Sequence, residues 1–249
     1  FTYCGDTLTD NRDGQQYPTV QIGTQCWMAR NLNIGVMVNS VNTGMMHSDV
    51  ADNGTIEKYC YDNDQGNCLI YGGLYDWNEA MEYTTAEGGR GICPQGWHIP
   101  AKAEWCLLST SLDPSVNCNA THWTGKHAGG RLKETGLNHW SAPNAGATNS
   151  SGFTALGSGY RFNYGDFKTL TVYTSFWSST RDTAGGSITG LALSTYDTGV
   201  LWPISFDNYG YAVRCVWDST LVCTPPPDQA NVGPDSLKIT DTSITLQAN

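Results

Sequence analysis

Between Cys60 and Cys68 the chain reads Tyr-Asp-Asn-Asp-Gln-Gly-Asn, which sets the side-chain oxygens of Asp62, Asp64 and Asn67 close together. Calcium is the chemistry such a run suggests, because a hard cation gathers about six to eight oxygens. The acid that would close the loop bidentately is missing, since the chain continues Leu69-Ile70-Tyr71. The run therefore reads first as a solvated turn held by its two cysteines, with calcium as the alternative. A second group lies far along the chain: Tyr196-Asp197, Trp202-Pro203 and Phe206-Asp207-Asn208-Tyr209, in polar, glycine-containing surroundings. Rings beside carboxylates and amides suit stacking on a sugar or packing against a protein, so Tyr196, Asp197, Trp202, Asp207, Asn208 and Tyr209 form the candidate contact surface. Rings packed inward are the competing reading.

Other chemistry is not written locally. His47, His98, His122, His127 and His139 show no zinc spacing, and no Gly-x-Ser-x-Gly elbow or phosphate loop occurs. Gly129-Gly130 before Arg131 is too sparse to be one. Lys and Arg total 13 against 23 Asp and Glu, a net charge of -10 that disfavours nucleic acid and anionic lipid as partners. No stretch is apolar enough for direct membrane insertion. Nine cysteines in 249 residues suggest an oxidising, extracellular or cell-surface setting and a disulfide-stapled fold. No apolar leader precedes Phe1, as expected of a removed leader or a piece of a longer chain.

The elements that must position these groups follow from periodicity. Tyr17 to Ile22 reads as a strand closed by Gly23, with Trp27, Met28 and Leu32 as buried anchors. Residues 33–58 read as a long surface connection. Asp76 and Glu79 resemble a capping box, with Trp77, Ala80 and Met81 on one face of a first short helix. Pro100 opens a second helix over about 101–111, where Trp105, Leu108 and Leu112 recur at helical spacing. Four aromatic and β-branched runs between Phe153 and Asp218 read as strands of one twisted antiparallel sheet. The first domain spans 1–218. A Pro-rich linker follows over 219–234, and 235–249 reads as the start of a β-sandwich or a donor-type strand.

Four segments taken together resemble one family: Asp13 to Leu32, with Gln-Ile-Gly-Thr-Gln-Cys-Trp-Met-Ala-Arg-Asn-Leu at its end; Cys60 to Trp77, with Tyr-Gly-Gly-Leu-Tyr-Asp-Trp; Gly91 to Trp105, with Ile-Cys-Pro-Gln-Gly-Trp-His-Ile-Pro; and Phe176 to Val216, with Phe-Trp-Ser-Ser and Val-Arg-Cys-Val. In that order they are similar to the Fibrobacter succinogenes major paralogous domain, a family of secreted or surface bacterial proteins of unassigned function. More distantly they resemble the C-type lectin-like and formylglycine-generating-enzyme superfold. The resemblance implies an α+β, C-type lectin-like fold, a twisted antiparallel sheet with two helices and long loops. Two departures limit it: no copper-binding cysteine pair occurs in 200–209, and neither Glu-Pro-Asn nor Gln-Pro-Asp is present.

Cys60 with Cys68 follows from their eight-residue separation around a turn-rich loop, and Cys106 with Cys118 would clip the second helix. The resemblance pairs Cys93 with Cys215. It also favours Cys4 with Cys26, leaving Cys223 odd and available to a neighbouring molecule; Cys4 with Cys223 is the alternative. It further implies that His98 is a packed, hydrogen-bonded residue, and Glu104 is expected to tie helix to sheet. The functional expectation is a non-catalytic adhesion module outside the cell that binds a glycan or protein through loops of the C-terminal half. A self-assembling filament or surface-layer subunit, joined through its linker and last strand, is the alternative, and an enzyme the third reading. No cofactor is expected apart from the calcium alternative.

Overall fold

A computed structural model describes residues 3–182 and 186–218. The chain opens with β1 (Thr7–Thr9), β2 (Gln16–Ile22) and β3 (Gln25–Met28), then β4 (Val36–Met37) and β5 (Glu57–Lys58). Next come α1 (Gln65–Tyr71), β6 (Leu74–Tyr75), α2 (Trp77–Ala80), β7 (Trp97–His98), α3 (Lys102–Leu112) and α4 (Ala128–Leu132). The later half contributes β8 (Tyr160–Arg161), β9 (Phe167–Lys168), β10 (Tyr173–Arg181), β11 (Ile188–Ser194), β12 (Ile204–Ser205), β13 (Tyr211–Ala212) and β14 (Val216–Trp217).

The class is α+β and mostly sheet, but β4-β5 and β8-β9 form two-stranded sheets and the other described strands divide between two five-stranded ones, ordered β1-β2-β3-β14-β7 and β12-β11-β10-β13-β6. The single-sheet expectation is thereby corrected. Pairing is antiparallel in both, except that β13 runs parallel to β10 at Phe176 and Ala212. The turn Asp10 to Gly14, closed by Gly14 N–H on the Asp10 carbonyl at 2.7 Å, feeds β2. Tyr17, Thr19 and Ile22 then point inward from β2. Val216 joins the last strand to the first segment by pairing with both Trp27 and His98.

Two apolar clusters fill the body. One gathers Trp27, Trp105, Phe153 and Phe176, with the Trp27 and Trp105 ring centroids 4.5 Å apart; the other gathers Met28, Trp77, Trp97 and Trp177. Large rings supply most of the buried apolar area in such a core. Four disulfides fasten it: Cys4–Cys26, Cys60–Cys68, Cys93–Cys215 and Cys106–Cys118. The choice for Cys4 is thus Cys26; Cys223, the linker and residues 235–249 lie outside the described residues. Cys93–Cys215 spans 122 residues, and closing so long a loop restricts the unfolded chain by about 4–5 kcal/mol in the chain-entropy view.

The helices depart from expectation in three places. Asp76 makes no cap bond; its buried carboxylate turns to the Tyr59 hydroxyl, while Glu79 accepts from Glu57 N–H at 2.9 Å. The capping box is therefore absent, and α2 is a single turn held by buried Trp77 and Ala80. Beyond Tyr61 the run between Cys60 and Cys68 is no open turn: Asp64 caps α1 by accepting from Gly66 N–H at 2.8 Å. α4 carries two glycines because a Cβ at Gly129 would overlap the Gly199 carbonyl, and one at Gly130 the Gly146 carbonyl. The expected second helix is α3, with Trp105 and Leu108 buried.

Candidate functional site

The calcium alternative is not assembled. Asp64 is engaged as the α1 cap, the Asn67 amide donates to the Tyr61 carbonyl at 2.9 Å, and Asp62 stands exposed. Among the described residues no three His, Cys, Asp or Glu side chains lie together as metal ligands would.

The six loop residues are held by different partners. Tyr196 is 68% exposed, and Asp197 accepts from Gly199 N–H while its carbonyl accepts from Lys133 Nζ at 2.8 Å. Trp202 is only 5% exposed, with its indole N–H donating to the Asn117 carbonyl at 3.1 Å, and what remains exposed lines a shallow pocket beside Pro203 and Ile204. Asp207 receives Arg181 at 3.2 Å, and its carbonyl accepts from Trp77 N–H. The Asn208 carbonyl accepts from Arg161 at 3.0 Å. Tyr209 packs among Tyr160, Phe162 and Tyr211, and burial raises its pKa. The two groups rest on different anchors, and the inward rings are explained by tertiary partners that local composition does not reveal.

A different cleft, of about 680 Å³, is built from segments distant in sequence. β2 supplies Pro18 and Val20, the turn after β3 supplies Arg30 and Asn31, and the end of α1 supplies Ile70 and Tyr71. Glu134, His139, Thr154 and Leu156 line it as well, together with the buried Arg214. Each wall is fixed. The Cys60–Cys68 disulfide and the Asp64 cap hold α1, whose last residue, Tyr71, meets the His139 ring edge-on at 5.6 Å. The Tyr71 carbonyl accepts from Asn31 Nδ2 at 2.8 Å, and the Leu69 carbonyl from Arg30 at 2.6 Å, so α1 is tied to the β3 turn. His139 Nδ1 in turn lies 2.9 Å from the Glu134 carboxylate. Burial, then the Glu134 charge, raises the Tyr71 pKa, so its hydroxyl stays neutral at physiological pH.

Arg214 decides the electrostatics of this cleft. It is 1% exposed, between β13 and β14, beside the Cys93–Cys215 bridge. Nε donates to Asn31 Oδ1 at 2.6 Å, Nη1 to the Met28 and Phe153 carbonyls at 2.9 and 2.6 Å, and Nη2 to the Thr154 carbonyl at 3.0 Å. The guanidinium also lies over the Phe153 ring at 4.3 Å. Every one of these acceptors is neutral. Burial accordingly pulls the Arg214 pKa down to about 9, which still leaves it charged at neutral pH. Thr154, one of the acceptors, holds φ 54, a left-handed conformation uncommon for a β-branched residue. Asn149 secures it there, its Nδ2 donating to Thr154 Oγ1 and its Oδ1 accepting from Thr154 N–H.

His98 shows the same economy without a cleft. It bridges Glu104 on α3 at 2.9 Å and Asp218 at 2.6 Å, which is the expected tie of helix to sheet. Burial alone would lower its pKa; the bonds to Glu104 and Asp218 outweigh that and raise it.

The sequence model of the Fibrobacter succinogenes major domain matches residues 20–217. The chain belongs to this family. The matched span includes every wall of the cleft beyond Pro18 and Thr19, together with the Cys60–Cys68, Cys93–Cys215 and Cys106–Cys118 bridges. No curated protein and no solved structure matches the chain significantly. No described helix is long and apolar enough to cross a membrane. Sequence reasoning missed the cleft because its parts come from six separated segments. The available signal was Arg214 itself, a charge set among Val213, Cys215 and Val216 in a core strand pattern.

Proposed function

We propose that this family member is a non-catalytic, extracellular binding module of C-type lectin-like build, whose ligand, a glycan or a protein side chain, enters the Arg214 cleft. The observation that carries this reading is the cleft's composition: an apolar wall of Val20, Ile70 and Leu156 converging on a few fixed polar groups. That is the usual make-up of a small-ligand site. Four disulfides and short sheets joined by long loops support a rigid scaffold that works outside the reducing cytosol. The pairing of β14 with β3, which joins late and early strands, supports the lectin-like build. His98 and Glu104 bond to each other, and His139 to Glu134, which supports positioning over turnover.

Glycan-array binding followed by titration tests it. Ile70 is exposed on α1 at the cleft rim, so Ile70→Glu leaves the core alone and is expected to weaken a bound glycan about tenfold or more. Ile204→Glu, on β12 at the end of the second sheet, is expected to change nothing. The opposite pattern would move the site to the C-terminal loops.

The same Ile204 favours a second reading. It is 74% exposed on an end strand, next to exposed Phe206, and an apolar sheet edge accepts an added strand. In that reading residues 235–249 of a second copy complete the sheet, and sedimentation velocity would show association that is lost on deleting 219–249.

A further inference from the structure

The Arg214 guanidinium carries five N–H donors. Nε uses its one and Nη1 both of its own, while Nη2 donates only to the Thr154 carbonyl, which leaves one Nη2 hydrogen without an acceptor among the described residues. That hydrogen belongs to a side chain lining the cleft. The charge is uncompensated as well, since none of the ion pairs among the described residues includes Arg214. Lys133 makes the contrast. It too is buried without an ion pair, but its three donors meet three carbonyls, those of Ala145, Ser194 and Asp197. Neither has a counter-ion among the described residues, but the donors of Lys133 are all used, whereas Arg214 is one bond short as well.

Resting on the binding reading above, we infer that the cleft takes a ligand carboxylate, bound through the free Nη2–H of Arg214. A carboxylate supplies both missing pieces, because a charge-assisted bond to a guanidinium is about twice as strong as one between neutral groups. The surroundings agree in sign. Arg30 adds a second cation at the rim against the single carboxylate of Glu134, so the cleft is positive in a chain of net charge -10. Glu134 is turned onto His139. Val20, Ile70 and Leu156 offer an apolar wall to whatever bears the acid, and the C–H face of a pyranose ring fits such a wall.

The test is calorimetric titration of the full chain with glucuronate, its neutral glucuronamide, glucose and acetate at low ionic strength. Glucuronate is expected to bind about tenfold or more tighter than glucuronamide, with the difference shrinking as salt is added. Glu134→Gln removes the like charge and is expected to strengthen glucuronate severalfold more than it alters glucuronamide. Acetate weaker than glucuronate places the ring on the apolar wall; acetate equal to it makes the carboxylate alone the ligand group, and either result supports the inference. Equal binding of glucuronate and glucuronamide overturns it and leaves the module a neutral-sugar binder. Binding of neither, by a chain whose melting is unaltered, overturns the inference, while the glycan array decides the binding reading separately. Arg214→Lys, checked for an intact fold, is expected to lose most of the preference for the acid. If that variant does not fold, the wild-type pair of ligands still decides.

Discussion

Arg161 and Arg214 are both shut away from solvent, and both gather distant loops onto the body, but only Arg161 is neutralised from within. Arg161 donates to Ser40 Oγ at 2.6 Å, to the Asn208 carbonyl at 3.0 Å and to Asp49 at 2.7 Å, with Asp76 at 3.8 Å and the Tyr59 ring beneath it. It pins the long 33–58 connection. Arg214 joins the end of β3 to the Phe153–Thr154 loop through neutral acceptors alone, and a cleft opens beside it. A buried charge supplied with its own counter-ion is complete as structure, whereas the unmet charge of Arg214 beside a cleft is what the proposed carboxylate site rests on.

Removing each arginine separates the two roles, and Arg214→Met is expected to cost most. It strands the Asn31 side chain and three carbonyls, for a loss of about 4 kcal/mol or more in urea unfolding, unchanged between about pH 5 and 8. Arg161→Met strands carboxylates as well, so its cost, about 3–5 kcal/mol at about pH 8, should shrink towards pH 5. There Asp76 can take up a proton. A pH-independent cost for Arg161→Met, or a pH-dependent one for Arg214→Met, would break the distinction.

Asp76 sharpens it further. Burial, only partly offset by hydrogen bonds and the Arg161 charge, raises its pKa from 3.8 to about 7. Between those values the folded protein holds a proton that the unfolded chain has released, so this group's contribution to stability falls as pH rises through that window and is flat above it. Asp76→Asn removes that fall, which over the window is on the order of 4 kcal/mol. Melting of wild type and variant from about pH 4 to 8 checks the sign. His98, largely buried between its two carboxylates, gives the smallest effect. Its raised pKa means the stabilisation is full below the unfolded value and is lost as pH climbs through the folded one. His98→Gln should therefore cost about 1 kcal/mol near pH 5 and close to nothing in mild alkali.

Those two arginines also mark the boundary of what the sequence reveals. Spacing alone located α3, since Trp105 and Leu108 repeat once per turn, and it paired Cys60 with Cys68. Family resemblance supplied Cys93 with Cys215, a contact across 122 residues that no local pattern encodes. α1 escaped because Gln65-Gly66-Asn67 favours turns, and its helix exists where a disulfide and the Asp64 cap hold it. Trp202 misled for the opposite reason: polar neighbours suggested a loop tip, but the Asn117 carbonyl, 85 residues away, draws the ring inside. The cleft belongs to the same class of facts, since Asn31, Tyr71, His139 and Arg214 meet only after the sheets have formed.

Nitrogen-15 detection of the two guanidinium groups during titration with glucuronate measures the central claim most directly. The Arg214 resonances are expected to shift with saturation while those of Arg161 stay in place. Shifts at Arg161, or none at Arg214 when the ligand is bound, would contradict the account.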